Sequence, residues 1–344
     1  MKRFLKSLCM GIIACFILYP GLNAWAAEKT ITAKFSLQFP PKHHLVRAAN
    51  LFAKTVAEKS QGTIKIQVFP VGQIYKETEI VDAVQSLSVE VGDVLMERWG
   101  GFDELFDVLG ANKYLVVGYD SAWRLADGKA GNYLGELMKK QGCYPIFWSC
   151  SGVYKGLTNS KRPVIKPADL KGLLIRVSNA PIGDMVKLFG GSPVLMSGGE
   201  AYDAMQRKTV DGSETTLSSV FDRKYYEVQK YLSVYMDYPS YHTWIVNWKW
   251  WNDLLKEKRE ILRQAALAAQ DWDRKELDDI EADYIKKLQK LMTTHMQTNV
   301  EAEEWRRACN PIAEGWLKKT GVEGKKLLDL AFESLKESKA QPRK

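Results

Sequence analysis

Apolar residues alternate at Ile31, Ala33, Phe35 and Leu37, then recur at Leu45, Ala48, Ala49, Phe52 and Val56. The first spacing is that of a half-buried strand, the second that of a helix with one face against a core. Gly62 ends the helix, and Ile64, Ile66 and Val68 restore the two-residue period before Pro70-Val71-Gly72 turns the chain. A third unit runs from a helix over about 76–87 into a strand near 91–96. Farther on, Cys143 and Cys150 bracket the strand-like YPIFWS, and Leu173, Leu174, Ile175 and Val177 predict a short buried strand. A helix from about Pro181 to Phe189 follows, stopped by Gly190 and Gly191, and another runs from Glu200 to Lys208. The run from Lys258 to Met296 reads as long and helical, with Leu262, Ala265, Ala266 and Ala269 on one stripe and Ile280, Tyr284, Leu288 and Leu291 beyond. Repeated strand-helix-strand order predicts an α/β sandwich whose strand ends line a cleft. At 344 residues the chain exceeds the usual single core, so two lobes are expected.

The first 26 residues depart from this pattern. Lys2, Arg3 and Lys6 precede an apolar stretch from Leu8 to about Leu22, and Ala24-Trp25-Ala26 follows. That is a secretory signal peptide, cleaved after Ala26. Ile12-Ile13-Ala14-Cys15 also resembles a lipoprotein cleavage box, a lesser alternative. Cys143, Cys150 and Cys309 remain in the mature chain, an odd number that indicates no disulfide framework. The formal charge of +8 shrinks when the three leader cations leave, and the remaining basic residues interleave with acids. This excludes a nucleic-acid footprint.

The most informative chemistry is Arg176, one cation at the end of an apolar run and just ahead of a helix start capped by Ser178 and Asn179 before Pro181. A guanidinium offers a carboxylate two parallel donors, and free N–H groups of a helix start add to the same field. This segment resembles the ligand-binding half of the DctP-type solute receptors of tripartite ATP-independent periplasmic (TRAP) transporters, whose arginine in a GLKIRV-type strand binds the substrate carboxylate. Other stretches fit that family in order: SQGTIKIQVFPVGQIYKETEIVDAVQSLSVEVGD from Ser60, GLTNSKRPVIKPADLKGLLIRV from Gly156, TVDGSE from Thr209, KYYEVQKYL from Lys224 and NWKWWNDL from Asn247.

The resemblance implies a two-lobed periplasmic binding protein of the Venus-flytrap type with a long interlobe helix. It puts residues 27–151 plus about 240–280 in the first lobe and 152–239 plus about 281–335 in the second, with 336–344 as a frayed tail. It implies a carboxylate ligand, a TRAP permease as membrane partner, periplasmic location, and neither cofactor nor metal. Three departures from the family bear on the ligand. Lys155 stands where the family often has a second arginine, so a cation remains without the bidentate fork. Gly198 removes a bulky aromatic usual before Glu200, and Thr215 replaces an asparagine, so both enlarge the expected pocket. Trp99, Trp148 and Tyr241 offer rings that enclose a flat ligand or simply pack. Together these suggest an organic acid with a bulky or aromatic side group rather than a strict dicarboxylate. His43 and His44 sit in the first strand-to-helix loop, where one is placed to hydrogen-bond ligand, and Glu97 could accept from a hydroxyl or amine or be a solvated rim charge.

An enzyme needs a nucleophile with its base, a phosphate loop or a metal set. Ser149-Cys150-Ser151-Gly152 lacks the first glycine of a nucleophile elbow, and the chain has neither HExxH nor CxxC. The expectation is therefore a receptor and not an enzyme, with the receptor of an ATP-driven transporter or of a sensor system as the alternative.

Overall fold

The computed structural model describes residues 30–336, so the expected signal peptide and all of the expected tail beyond Lys336 lie outside the described residues. Eleven strands are described: β1 (Ile31–Ser36), β2 (Ile64–Phe69), β3 (Val91–Leu95), β4 (Cys143–Cys150), β5 (Lys155–Asn159), β6 (Leu174–Val177), β7 (Ser192–Leu195), β8 (Gly212–Thr216), β9 (Tyr231–Tyr235), β10 (Tyr241–Asn247) and β11 (Thr293–Met296). They form two sheets, ordered β2-β1-β3-β10-β4 and β11-β9-β5-β8-β6-β7. In the first, β1 runs parallel to β2 and β3, while β10 enters antiparallel between β3 and β4. The chain thus builds most of one lobe, crosses after β4, builds the second sheet and returns as β10. The two crossings are bonded to each other: Ser151 N donates to Ser240 O at 2.9 Å and Ser240 N to Gly152 O at 3.1 Å.

The alternation seen in the sequence works as expected at β1, where Ala33 and Phe35 are fully buried. Helix His44–Lys59 buries Leu45, Ala48, Ala49, Phe52 and Val56 against the same sheet. Phe147 stacks on Trp244 at 3.6 Å between ring centroids, which locks β4 to β10. The helix expected over about 76–87 is only Ile80–Gln85, because Leu87 takes a left-handed φ of 58° and stops it.

Helix Lys256–Leu291, 36 residues long, joins the lobes. Leu262, Ala265, Ala266 and Ala269 pack beside the helix His44–Lys59, Leu277 enters the core under β4, and Tyr284 and Leu288 enter the core of the second sheet. Polar anchors hold it along the way: Gln270 Oε1 accepts from Trp148 N at 2.8 Å, and Asp273 Oδ1 lies 2.7 Å from His44 Nδ1. The helical run expected to reach Met296 ends earlier, since 293–296 form β11 at the edge of the second sheet, parallel to β9.

The last helix, Asn310–Lys336, corrects the expected lobe assignment. Trp316, Leu327 and Ala331 share a core with Ala122, Leu134 and Met138 of the first lobe, and Ala130 N donates to Ser334 Oγ at 3.2 Å. Ile312 at its start also touches the core around Trp305, but the rest of its apolar stripe packs on the lobe in which the chain began.

Candidate functional site

Strand β6 explains why an arginine can be held inside. Ile175 and Val177 point into a core with Ile182, Met185 and Trp305, and strand alternation turns Arg176 to the other face. Arg176 is 2% exposed. Its Nε and Nη2 donate to Met196 O at 3.1 and 2.9 Å, and its Nη1 to Glu214 O at 3.3 Å. Carbonyls orient the fork without cancelling its charge.

Arg176 borders a cavity of about 30 Å3 between the lobes. Gln38 and Phe39 after β1, Leu95 at the end of β3 and His242 of β10 form one wall; Ser178, Gly198, Glu214, Thr215 and Arg223 form the other; Ser151 and Ser240 come from the crossings. The carboxyl ends of parallel strands thus converge there, the usual place for a ligand in α/β sheets.

Charges around the cavity are unevenly matched. Glu77 Oε1 faces Arg98 Nε at 3.6 Å; burial alone would raise its pKa, but Arg98, Arg176, His242 and Arg223 together hold it below the usual carboxylate range. His242 Nδ1 lies 2.9 Å from Asp93 Oδ2, and although burial opposes its charge, Asp93 raises its pKa above that of a free histidine. Burial raises the pKa of Glu214, whose Oε1 accepts from Tyr235 Oη at 3.3 Å. Arg223 Nη2 donates across the cleft to Gln38 O at 3.0 Å, and its buried Nε has no partner.

Of the residues singled out in the sequence, Thr215 and Gly198 join Arg176 on this cavity. The expectation that Gly198 leaves room is corrected: a Cβ there would lie 3.1 Å from Arg223 Nη2 and 3.2 Å from its Cζ, so a guanidinium occupies the space. Lys155 is buried one step away, donating to Ser240 Oγ and lying 4.2 Å from the Tyr238 ring centre. Asn179 caps the helix Ala180–Leu188 through its acceptor to Ile182 N, at 3.0 Å. Glu97 and Asn179 line a different, larger cavity of about 710 Å3 that reaches Trp316 of the last helix. Burial pushes the Glu97 pKa up to about 7, and neither carboxylate oxygen has a partner.

Three residues expected to contact ligand pack away from this cavity in the structure. Trp99 is fully buried and stacks on Phe106, Tyr241 is fully buried and donates to Ala122 O, and His43 stacks on Phe39 at 3.9 Å, one layer behind the cavity. Burial, helped by His44, lowers the His43 pKa well below that of a free histidine. In β10 it is His242, next to Tyr241, that faces the cavity. Arg223 and His242 escaped the sequence reading because one sits in an unpatterned DRKYY turn and the other in a strand read for its aromatic rings.

A buried arginine held between two α/β lobes is an arrangement suited to enclosing an anionic solute. The family described as bacterial extracellular solute-binding protein, family 7 (DctP), matches residues 35–319, and the chain belongs to it. The C4-dicarboxylate-binding protein DctB of Bacillus subtilis is 28% identical over 272 residues, covering 77% of this chain and 76% of that protein. Among solved structures, the sugar acid binding protein DctPAm of Advenella mimigardefordensis in complex with galactonate superposes with a TM-score of 0.84 at 25% identity, covering 89% of this chain and 99% of that one. A TRAP periplasmic solute binding protein of Polaromonas bound to D-erythronate gives 0.81 at 27% identity, with 88% and 98% covered.

Proposed function

We propose that this protein is an extracytoplasmic receptor that captures an organic acid between its lobes and passes it to a TRAP-type membrane permease, without catalysis. The observation that carries the reading is Arg176, buried to 2% with its donors on backbone carbonyls alone. A buried cation kept without an anionic partner is expensive, and a ligand carboxylate offsets that cost. The kinship supports the same chemistry, since the named ligands of the relatives, C4-dicarboxylate, galactonate and D-erythronate, are all carboxylates.

Residues 30–151, about 240–280 and the last helix form the first lobe, and 152–239 with about 281–309 the second, hinged at the paired crossings. A cavity of about 30 Å3 is too small for a sugar acid, so ligand enters with the lobes apart and is enclosed as they shut. Closure follows ligand only if ligand touches both walls. Gln38, Phe39 and His242 on one side and Arg176, Ser178 and Thr215 on the other supply those contacts.

The test is the melting temperature of protein refolded from denaturant, against aldonates, uronates, C4-dicarboxylates, 2-oxo acids and aromatic acids. Ligand held only by the folded state raises it, by about 2.7 kcal/mol of stability at one hundred times Kd. We expect a shift with at least one acid class that Arg176→Ala abolishes. A shift that survives Arg176→Ala, or none with any acid, would refute the reading.

A further inference from the structure

The first-lobe wall of the small cavity carries two ionisable groups, Glu77 and His242. Glu77 repels an anion, and Arg98 already faces it at 3.6 Å. His242 differs because its two ring nitrogens have separate surroundings. Its Nδ1 lies 2.9 Å from Asp93 Oδ2, with both side chains buried, whereas among the described residues its Nε2 has no partner. A carboxylate only accepts, so Nδ1 carries a hydrogen in every state of the ring, and the proton that comes and goes is the one on Nε2. Neutral His242 therefore offers the cavity a lone pair, and charged His242 offers an N–H donor. Only the second suits a carboxylate.

The charges packed around the ring bear on that choice. Burial opposes the charged form, but Asp93, and beyond it Glu77 and Glu97, raise the His242 pKa above that of a free histidine. On the side of helix His44–Lys59, His43 stacks behind Phe39 and is kept neutral by burial, while Asp273 of the interlobe helix is taken up by His44 and Ser149. Across the cavity stand Glu214, which burial drives toward its neutral form, and the second-lobe cations Arg176 and Arg223. Those two cations oppose a third until an anion lies between the walls.

We infer that His242, in its protonated form, holds the solute's acidic group from the first lobe, so that capture of an organic acid takes up a proton from solvent at Nε2. The inference rests on the receptor reading and adds to it the contact on the first-lobe wall. Closure follows ligand only if ligand touches both walls, and on this wall the ionic donor exists only with that proton in place. Affinity is then full below the pKa of His242 in the empty receptor, falls as pH rises, and levels off above its pKa in the complex. Asp93 is a positioning residue that fixes the tautomer and supports the charge.

The experiment is calorimetric titration of refolded wild-type protein with D-gluconate, D-glucuronate, fumarate and pyruvate from pH 6 to pH 9, in pairs of buffers of different protonation enthalpy. These acids stay ionised over that range, so any proton taken up goes to the protein. An acid whose binding Arg176→Ala abolishes is expected to bring in up to one proton, with Kd rising by about tenfold per pH unit at the steepest. His242→Gln keeps an amide donor that does not titrate, and should flatten the profile and abolish the uptake. Asp93→Asn removes the charge that supports the proton, and should move the fall in affinity to lower pH. Melting temperatures of the ligand-free variants verify folding.

Arg176-dependent binding with a level Kd and no proton uptake would overturn the role of His242 and leave the receptor reading intact. Uptake that persists in His242→Gln would also overturn it, placing the proton on another group such as Glu214. A fall in affinity that Asp93→Asn leaves at the same pH would argue against the pair. Failure of every acid to bind would remove both readings.

Discussion

Gly152 lies at the crossing between lobes, and replacing it with alanine should be costly out of proportion to one methyl group. Its φ is +147°, where a Cβ is strained, and a Cβ built there would lie 2.3 Å from Glu281 Oε1. That carboxylate is no bystander: Glu281 projects from the interlobe helix, accepts from Val153 N and Tyr154 N at 3.2 Å each, and also from the Tyr119 hydroxyl. Backbone strain contributes about 1–3 kcal/mol. Displacing the carboxylate from two buried amides adds about 1 kcal/mol for each bond weakened. Gly152→Ala should therefore lose about 3–5 kcal/mol in urea unfolding at neutral pH. Gly315→Ala is the matched control: nothing lies within 4 Å of a Cβ there, and it sits in the last helix. It should be neutral or stabilise by up to about 1 kcal/mol. A loss below about 1 kcal/mol at Gly152 would refute the reasoning.

Two further predictions concern buried charge. Lys113 Nζ and Asp237 Oδ2 are 2.6 Å apart with both side chains 1% exposed, so Lys113→Met should cost about 3–5 kcal/mol by leaving a lone carboxylate inside, and Asp237→Leu added to it should recover much of that; additive losses would argue against a pair. Burial raises the Glu97 pKa to about 7, above the usual 4.5 of a glutamate, so between these values the folded state holds a proton that the unfolded state releases. Its contribution to stability is full below about pH 4.5 and is lost as pH rises through about 7, by up to about 3 kcal/mol. Glu97→Gln should flatten the decline of the urea midpoint between pH 5 and pH 8 relative to wild type; parallel profiles would contradict the assignment.

The elements were legible wherever burial is one-sided. Strand β1, the helix after it and β2 follow the written period because each has a polar face and an apolar one. The stripe of Leu262, Ala265, Ala266 and Ala269 marked the interlobe helix for the same reason, yet its end did not show, since Thr293–Met296 pairs with β9, Thr293 opposite Tyr231, at a sequence distance that no local pattern reports. Of the site, Arg176 was readable because a cation inside an apolar strand breaks the period. Arg223 was not: it follows a six-residue helix, and only tertiary packing against Gly198 brings it to the cleft. Trp99 and Tyr241 pack in a core, and large rings serve cores and ligand walls alike, so sequence does not say which of them meets the cleft.

The central claim is that a carboxylate sits on Arg176 inside a closed cleft. A crystal structure with the acid that most raises the melting temperature tests it most directly. The account predicts carboxylate oxygens about 3 Å from the Arg176 guanidinium, with the lobes shut over the ligand. Density for the acid elsewhere, with Arg176 still bonded only to the carbonyls of Met196 and Glu214, would contradict it.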